Sequence, residues 1–336
     1  MGARSVILGL SGLELTEEEG AFFRDADPWA FILFARNVDH PVQVRRLCGD
    51  LRDAVGRHAL IFVDQEGGRV QRLKAPHWPA YPSGSAYAAL HAADPQAGRR
   101  AIWLGYRLIA HDLRDVGITA DCAPVLDLPH PGADPIISDR AYGDTVERIV
   151  DLAHAAMSGL MSGGIAPVVK HIPGHGRATV DSHLSLPRID TELDLLDRTD
   201  FAPFRELRDA PMAMTAHAVY AASDSDPVTV SAKALTALVR DAIGFDGLLM
   251  SDDLDMKALT GSLRSKTEAA LAAGCDVALQ CSGQLDDMVE VASGADRLSG
   301  RTLDRATVAE LCATDPAPVD AHESRAEFDA LMARVA

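Results

Sequence analysis

Eight short β-rich runs separated by helical stretches constrain the fold of this chain more than any other feature. They are Val6–Leu10, Ala30–Phe34, Leu60–Val63, Ile118–Ala123, Ala166–Lys170, Met212–Thr215, Leu248–Ser251 and Val277–Cys281. Most are near-continuous apolar runs instead of strict alternations, the pattern of parallel strands covered on both faces. The helices between them carry recognisable starts. Thr16 with Glu19, and Asp144 with Glu147, have the spacing of a capping side chain and an acid three residues on. Asp94 precedes Pro95, and Ser231 precedes AKALTALVRDAIG. Gly117, Gly164, Gly244 and Gly274 stand shortly before strands, where a left-handed residue ends a helix.

Eight βα repeats without a composition break predict an α/β fold, a single (β/α)8 TIM-type barrel over residues 1–295. The polar, helical tail at 296–336 is expected to pack on that barrel. An open doubly wound sheet is the alternative. It would place a GxGxxG turn after its first strand, and LGLSGLEL is not one.

Charge narrows the function. The formal net charge is −17 and no Lys/Arg run is present, which argues against nucleic acid or an anionic membrane surface as partner. Five scattered cysteines form neither a disulfide framework nor a zinc pattern, and a reducing compartment follows. The N-terminal apolar run is short and broken by glycines, so neither a signal peptide nor a transmembrane helix is expected. A cytoplasmic protein, monomeric or weakly homo-oligomeric, is the expectation.

In a TIM barrel the chemistry sits in the loops after the strands. The unusual polar residues of this chain fall there. DQEGGRVQR (64–72) follows the third run, Asp127 and Asp139-Arg140 the fourth, and KHIPGHG (170–176) with Asp181-Ser182-His183 the fifth. Thr215 and His217 follow the sixth, and Ser251-Asp252-Asp253 the seventh. A metal centre of His171, His175 and His183 is disfavoured, because their spacing crosses Pro173 and two glycines and HExxH is absent. GxSxG and a phosphate-binding loop are missing too. Carboxylate chemistry on a polyol remains, with no cofactor expected.

DQEGGRVQR, KHIPGHG, DSH and SDDLDM (251–256) together resemble glycoside hydrolase family 3, and within it the bacterial β-N-acetylglucosaminidases of peptidoglycan recycling. The likeness runs from the first strand to about Cys281. The resemblance implies Asp252 as nucleophile and His183 as general acid and base, oriented by Asp181. It implies Asp64, Arg72, Arg140, Lys170 and His171 as the residues that hold the terminal sugar. Many family members carry a glutamate acid on a second domain; here the histidine loop is expected to do that work. The implied substrate is a muropeptide fragment with a terminal β-linked N-acetylglucosamine.

The residues agree with that chemistry. A retaining glycosidase needs a carboxylate nucleophile and a group that switches from acid to base, and imidazole titrates near neutral pH. Asp181 and His183, two apart, are expected on one side of an extended segment, close enough to pair. The glycines of PGHG suggest a loop that bends and closes over substrate. A β-glucosidase or β-xylosidase, a phosphorylase, and a non-catalytic sugar-binding protein are the rival readings.

Overall fold

The computed structural model describes residues 2–335; residues 1 and 336, the outer ends of the two segments expected above, lie outside the described residues. Ten strands occur in chain order: β1 (Arg4–Leu8), β2 (Pro28–Leu33), β3 (Leu60–Val63), β4 (Ala120–Asp121), β5 (Ala166–Ile172), β6 (Arg188–Ile189), β7 (Met212–Thr215), β8 (Val219–Tyr220), β9 (Leu248–Asp253) and β10 (Val277–Gln280). Eight of them close a parallel barrel in the order β1-β10-β9-β7-β5-β4-β3-β2. The expected TIM-type barrel is therefore the fold.

Apolar runs divide between two faces because successive side chains on a strand point oppositely. On β1 and β2, Ile7, Ala30 and Ile32 belong to the cluster inside the barrel. Val6, Leu8, Phe31 and Leu33 pack outward against the helices. Burying each large apolar side chain contributes about 1.5–3 kcal/mol, so this double burial dominates the stability of the barrel. Leu298, Ala306 and Ala309 extend the inner cluster, the latter two on the helix Gly300–Leu311. Trp29 donates its indole N–H to Glu310 at 2.7 Å. The helix Ala321–Met332 lies outside, its Phe328 against the rings of Tyr81 and Tyr87.

Most helix starts follow the sequence signals. Thr16 and Glu19 make a reciprocal capping box, and Asp94 and Ser231 each accept a backbone N–H three residues on. At the fifth helix the expected cap shifts by one residue. Thr145, not Asp144, accepts the N–H of Arg148, and Asp144 pairs with the Arg148 guanidinium instead. The fourth strand is also shorter than its apolar run, since only Ala120 and Asp121 join the ladders to β3 and β5. β6 and β8 form a separate two-stranded sheet that the sequence did not signal. Among the described residues no helix is long and apolar enough to cross a membrane.

Candidate active site

The loops after β3 and β4, with Lys170 on β5, build a floor of interlocked charges. Nζ of Lys170 lies 2.9 Å from Asp64 and 2.7 Å from Glu66, with its side chain only 2% exposed. The other oxygen of Asp64 accepts from Arg72 at 2.9 Å. Arg140 grips Glu66 with two N–H groups, each at 2.8 Å. Burial alone raises the pKa of both acids, but the cations outweigh it. Asp64 is held far below its usual range by Lys170 and Arg72, and Glu66 at about 2 by Arg140 and Lys170. Both acids are therefore anions at neutral pH, and this side of the cavity presents fixed donors and acceptors.

His171 follows Lys170, yet both side chains line the same cavity. The ladder between β5 and β7 shifts register between Lys170 and Ile172, which breaks the alternation that would send one side chain outward. Asp127 orients His171: its Oδ2 is 2.7 Å from Nδ1. The other Asp127 oxygen accepts the backbone N–H of His171 and, at 2.6 Å, of His175.

Asp252 sits on β9, near its end. Its Oδ1 accepts the N–H of Asp253 at 2.8 Å, and its own N–H points to Thr215 Oγ1 at 3.4 Å. Oδ2 has no hydrogen-bond partner among the described residues. Burial raises the carboxyl, but His217 and His171 bring it below the ordinary value, so it is an anion at neutral pH. Its neighbour behaves oppositely. Burial and the nearby Asp255 push Asp253 up to about 7.

His183 comes from the loop after β5. Its Nδ1 and its backbone N–H both reach Oδ1 of Asp181, at 2.7 and 2.9 Å. The segment is a turn and not the expected extended stretch, for Asp181 also accepts the N–H of Leu184 and Ser185 through its carbonyl. The side chain of His183 is 61% exposed. The PGHG glycines are packed instead of free. A Cβ on Gly176 would stand 1.8 Å from the Leu128 carbonyl oxygen, and Tyr220 bonds the Gly174 carbonyl. The Gly176 and Ala178 carbonyls accept from His130 and Asp134, and the far end of the loop is tied by Val219 N–H to Pro187.

Asp64, Arg72, Arg140, Lys170, His171, His183 and Asp252 all line one cavity of about 180 Å³. Asp181 stands behind His183. Glu66, Arg69 and Asp253 line the cavity as well, although the sequence reading assigned them no role. Asp127 and His217 complete the surroundings as partners of His171 and of the Asp252 segment. Their signal in the sequence was position alone, each following a barrel strand.

Comparison with known proteins places this geometry. Residues 13–308 match the family described as Glycosyl hydrolase family 3 N terminal domain. The beta-hexosaminidase of Pseudomonas aeruginosa strain UCBPP-PA14 is 39% identical over 280 residues, 82% of each chain. That of Alkalilimnicola ehrlichii is 38% identical over 281 residues, covering 82% of this chain and 80% of its own. The structure of NagZ from Neisseria gonorrhoeae in complex with N-trifluoroacetyl-D-glucosamine superposes with a TM-score of 0.86 at 30% identity, over 100% of this chain and 97% of that one. A family 3 β-N-acetylglucosaminidase from Paenibacillus sp. str. FPU-7 gives 0.84 at 29% identity, and this chain spans 66% of its length. With the match running through seven of the eight barrel strands and every residue that lines the cavity, the chain belongs to glycosyl hydrolase family 3.

Proposed function

We propose that this protein is an exo-acting β-N-acetylglucosaminidase that retains configuration, with Asp252 as nucleophile and His183, held by Asp181, as acid and base. The observation that carries the reading is that Asp252 and His183 line one cavity whose floor is the Asp64–Lys170–Glu66–Arg140 network. Support for the substrate comes from relatives named beta-hexosaminidase and from a neighbour described in complex with an N-acylated glucosamine. The cavity of about 180 Å³ is smaller than the roughly 300–1,000 Å³ of drug-sized sites, which suits one terminal sugar ring.

In the first step Oδ2 of Asp252 attacks the anomeric carbon. The glycosidic C–O bond breaks, and the leaving oxygen takes the Nε2 proton of His183. In the second step Nε2 removes a proton from water, the water oxygen bonds to the anomeric carbon, and Asp252 is released. Asp181 stabilises the imidazolium and fixes the ring, as a carboxylate does for histidine in a hydrolytic triad. Asp64, Arg72, Arg140, Lys170 and His171 hold the hydroxyls and the acetamido group. The natural substrate in this reading is a muropeptide fragment ending in β-linked N-acetylglucosamine, met in the cytoplasm.

Side-by-side assay of chromogenic β-N-acetylglucosaminide and β-glucoside tests the reading. Turnover of the first and not the second is expected. Equal or reversed preference would overturn the substrate, sugar 1-phosphate formed on adding phosphate would make the enzyme a phosphorylase, and binding without turnover would make it a sugar-binding protein.

A further inference from the structure

Asp252 and Asp253 belong to a closed ring of hydrogen bonds in which His217 is the least explained member. The Asp252 N–H points to Thr215 Oγ1 at 3.4 Å, and Thr215 Oγ1 is 2.8 Å from Thr229 Oγ1. Thr229 Oγ1 is 2.8 Å from Nδ1 of His217, whose Nε2 is 3.0 Å from the carbonyl oxygen of Asp253. Thr215, Thr229 and His217 are fully buried.

The chemistry of the two ends settles where each proton lies. A carbonyl only accepts, so Nε2 of His217 carries a hydrogen. A second proton on Nδ1 would charge a buried ring. It would also stand near the buried Lys266, which donates to the carbonyl of the next residue, Leu254, at 2.8 Å. Burial chiefly, then Lys266 and His171, pull the imidazole below its ordinary pKa, against Asp252 and the hydrogen bond to the Asp253 carbonyl, which raise it. Nδ1 is thus a bare lone pair and takes the Thr229 hydroxyl proton. The competing acceptor for that proton, the Ala216 carbonyl, is farther, at 3.3 Å. Thr229 in turn accepts from Thr215, and Thr215 from the Asp252 amide. Every link has one donor and one acceptor, and the ring has one direction.

We propose that His217 is a positioning residue: in its neutral Nε2–H form it closes this ring and fixes the peptide that carries the attacking carboxylate. The proposal rests on the reading of Asp252 as nucleophile. His217 is not among the residues that line the cavity; it acts through the Asp252–Asp253 backbone, with Oδ1 of Asp252 held by the Asp253 N–H and Asp252 itself lining the cavity. Misplacing a reacting atom by about 1 Å costs roughly 10²-fold, which is the scale the ring protects.

Kinetics of His217→Ala, His217→Gln and Thr229→Val on an aryl β-N-acetylglucosaminide test this. His217→Ala should lower kcat about 10²-fold with KM within about threefold, because orientation and not binding is lost. His217→Gln supplies an amide N–H donor and an oxygen acceptor and should recover most of kcat, while Thr229→Val should lose about tenfold. If the alanine variant does not fold, the other two carry the comparison. Unchanged kcat in all variants, or kcat and KM failing together with Gln no better than Ala, would overturn the proposal. Nitrogen-15 NMR, with the His217 signals assigned by their loss in the glutamine variant, reads the tautomer without turnover. Nε2 should be protonated and Nδ1 bare at neutral pH. A doubly protonated ring there, or the opposite tautomer, would overturn it even if the sugar specificity stands. Absence of turnover by the unaltered enzyme would overturn the functional reading and leave the NMR test intact.

Discussion

Nδ1 of His183 lies 2.7 Å from Oδ1 of Asp181, which directs Nε2 away from the carboxylate. The same oxygen binds the His183 backbone N–H, so ring and main chain are oriented together. Removing the ring should slow both chemical steps by about 10²–10⁴-fold on natural leaving groups. A good aryl leaving group needs no proton, so His183→Ala should then form the glycosyl-enzyme readily and hydrolyse it slowly. Pre-steady-state kinetics should show a burst of phenolate; equal slowing of both steps would remove His183 from the acid role. Asp181→Asn should lie between the two enzymes, because the ring stays but its imidazolium loses a counter-charge.

Glu66 should matter as much for folding as for binding. It is the bidentate partner of Arg140 and one of two acids around Lys170. Glu66→Gln leaves two buried cations with one carboxylate between them, and breaking such a pair costs about 3–5 kcal/mol. Chemical denaturation should show a drop of that size, and KM should rise more than kcat falls. A change below about 1 kcal/mol would mean that the network is solvated.

Stability should respond to pH in two directions. Glu66, held at about 2 against an ordinary 4.5, contributes stability that is present above pH 4.5 and lost as pH falls toward 2. Asp121 is the opposite case. It is buried beside the floor, one oxygen accepts the Gln65 N–H at 2.9 Å, and the other has no partner. Burial pushes it up to about 8 from 3.8. Its folded form keeps a proton that the unfolded chain has lost, so the benefit is complete below 3.8 and disappears as pH rises through 8. Between those limits this one group can lower stability at a slope approaching about 1.4 kcal/mol per pH unit. Asp121→Asn keeps an acceptor for Gln65 and removes the titration. Thermal melts at several pH values should show a flatter decline between 3.8 and about 8 in the variant; identical declines would exclude Asp121 as its source.

Gly176 offers a check on the loop. Its Cβ would meet the Leu128 carbonyl at 1.8 Å, so Gly176→Ala must displace the base of the segment that presents His183. Activity should fall together with melting temperature, whereas Leu184→Ala at the exposed tip should leave melting unchanged. A stable, fully active Gly176→Ala protein would show that this contact is not needed.

Much of the barrel was readable because strands buried on both faces leave long apolar runs. Leu60–Val63 and Met212–Thr215 match to the residue. β6 and β8 were not readable, since two-residue strands carry no periodicity. The shift from Asp144 to Thr145 shows two neighbouring residues that can both cap; the choice was made by Arg148, which takes the Asp144 carboxylate. In the site, motif order put the polar residues at the correct ends of the strands. Their pairing was hidden, because Glu66 meets Arg140 across 74 positions and Asp127 meets His171 across 44. Lys170 read as one of the residues that hold the sugar, and the two carboxylates that fix it were not legible.

Oδ2 of Asp252, the oxygen left when Asp253 binds the other, is expected to become bonded to the sugar. Peptide mass mapping of the His183→Ala protein, quenched during turnover of an aryl β-N-acetylglucosaminide, would reveal that bond. One N-acetylglucosaminyl unit should be found on the peptide containing Asp252, absent from a folded Asp252→Ala control whose turnover is down by about 10⁴-fold or more. An adduct on another residue, or no adduct while the enzyme turns over with inversion at the anomeric carbon, would contradict it.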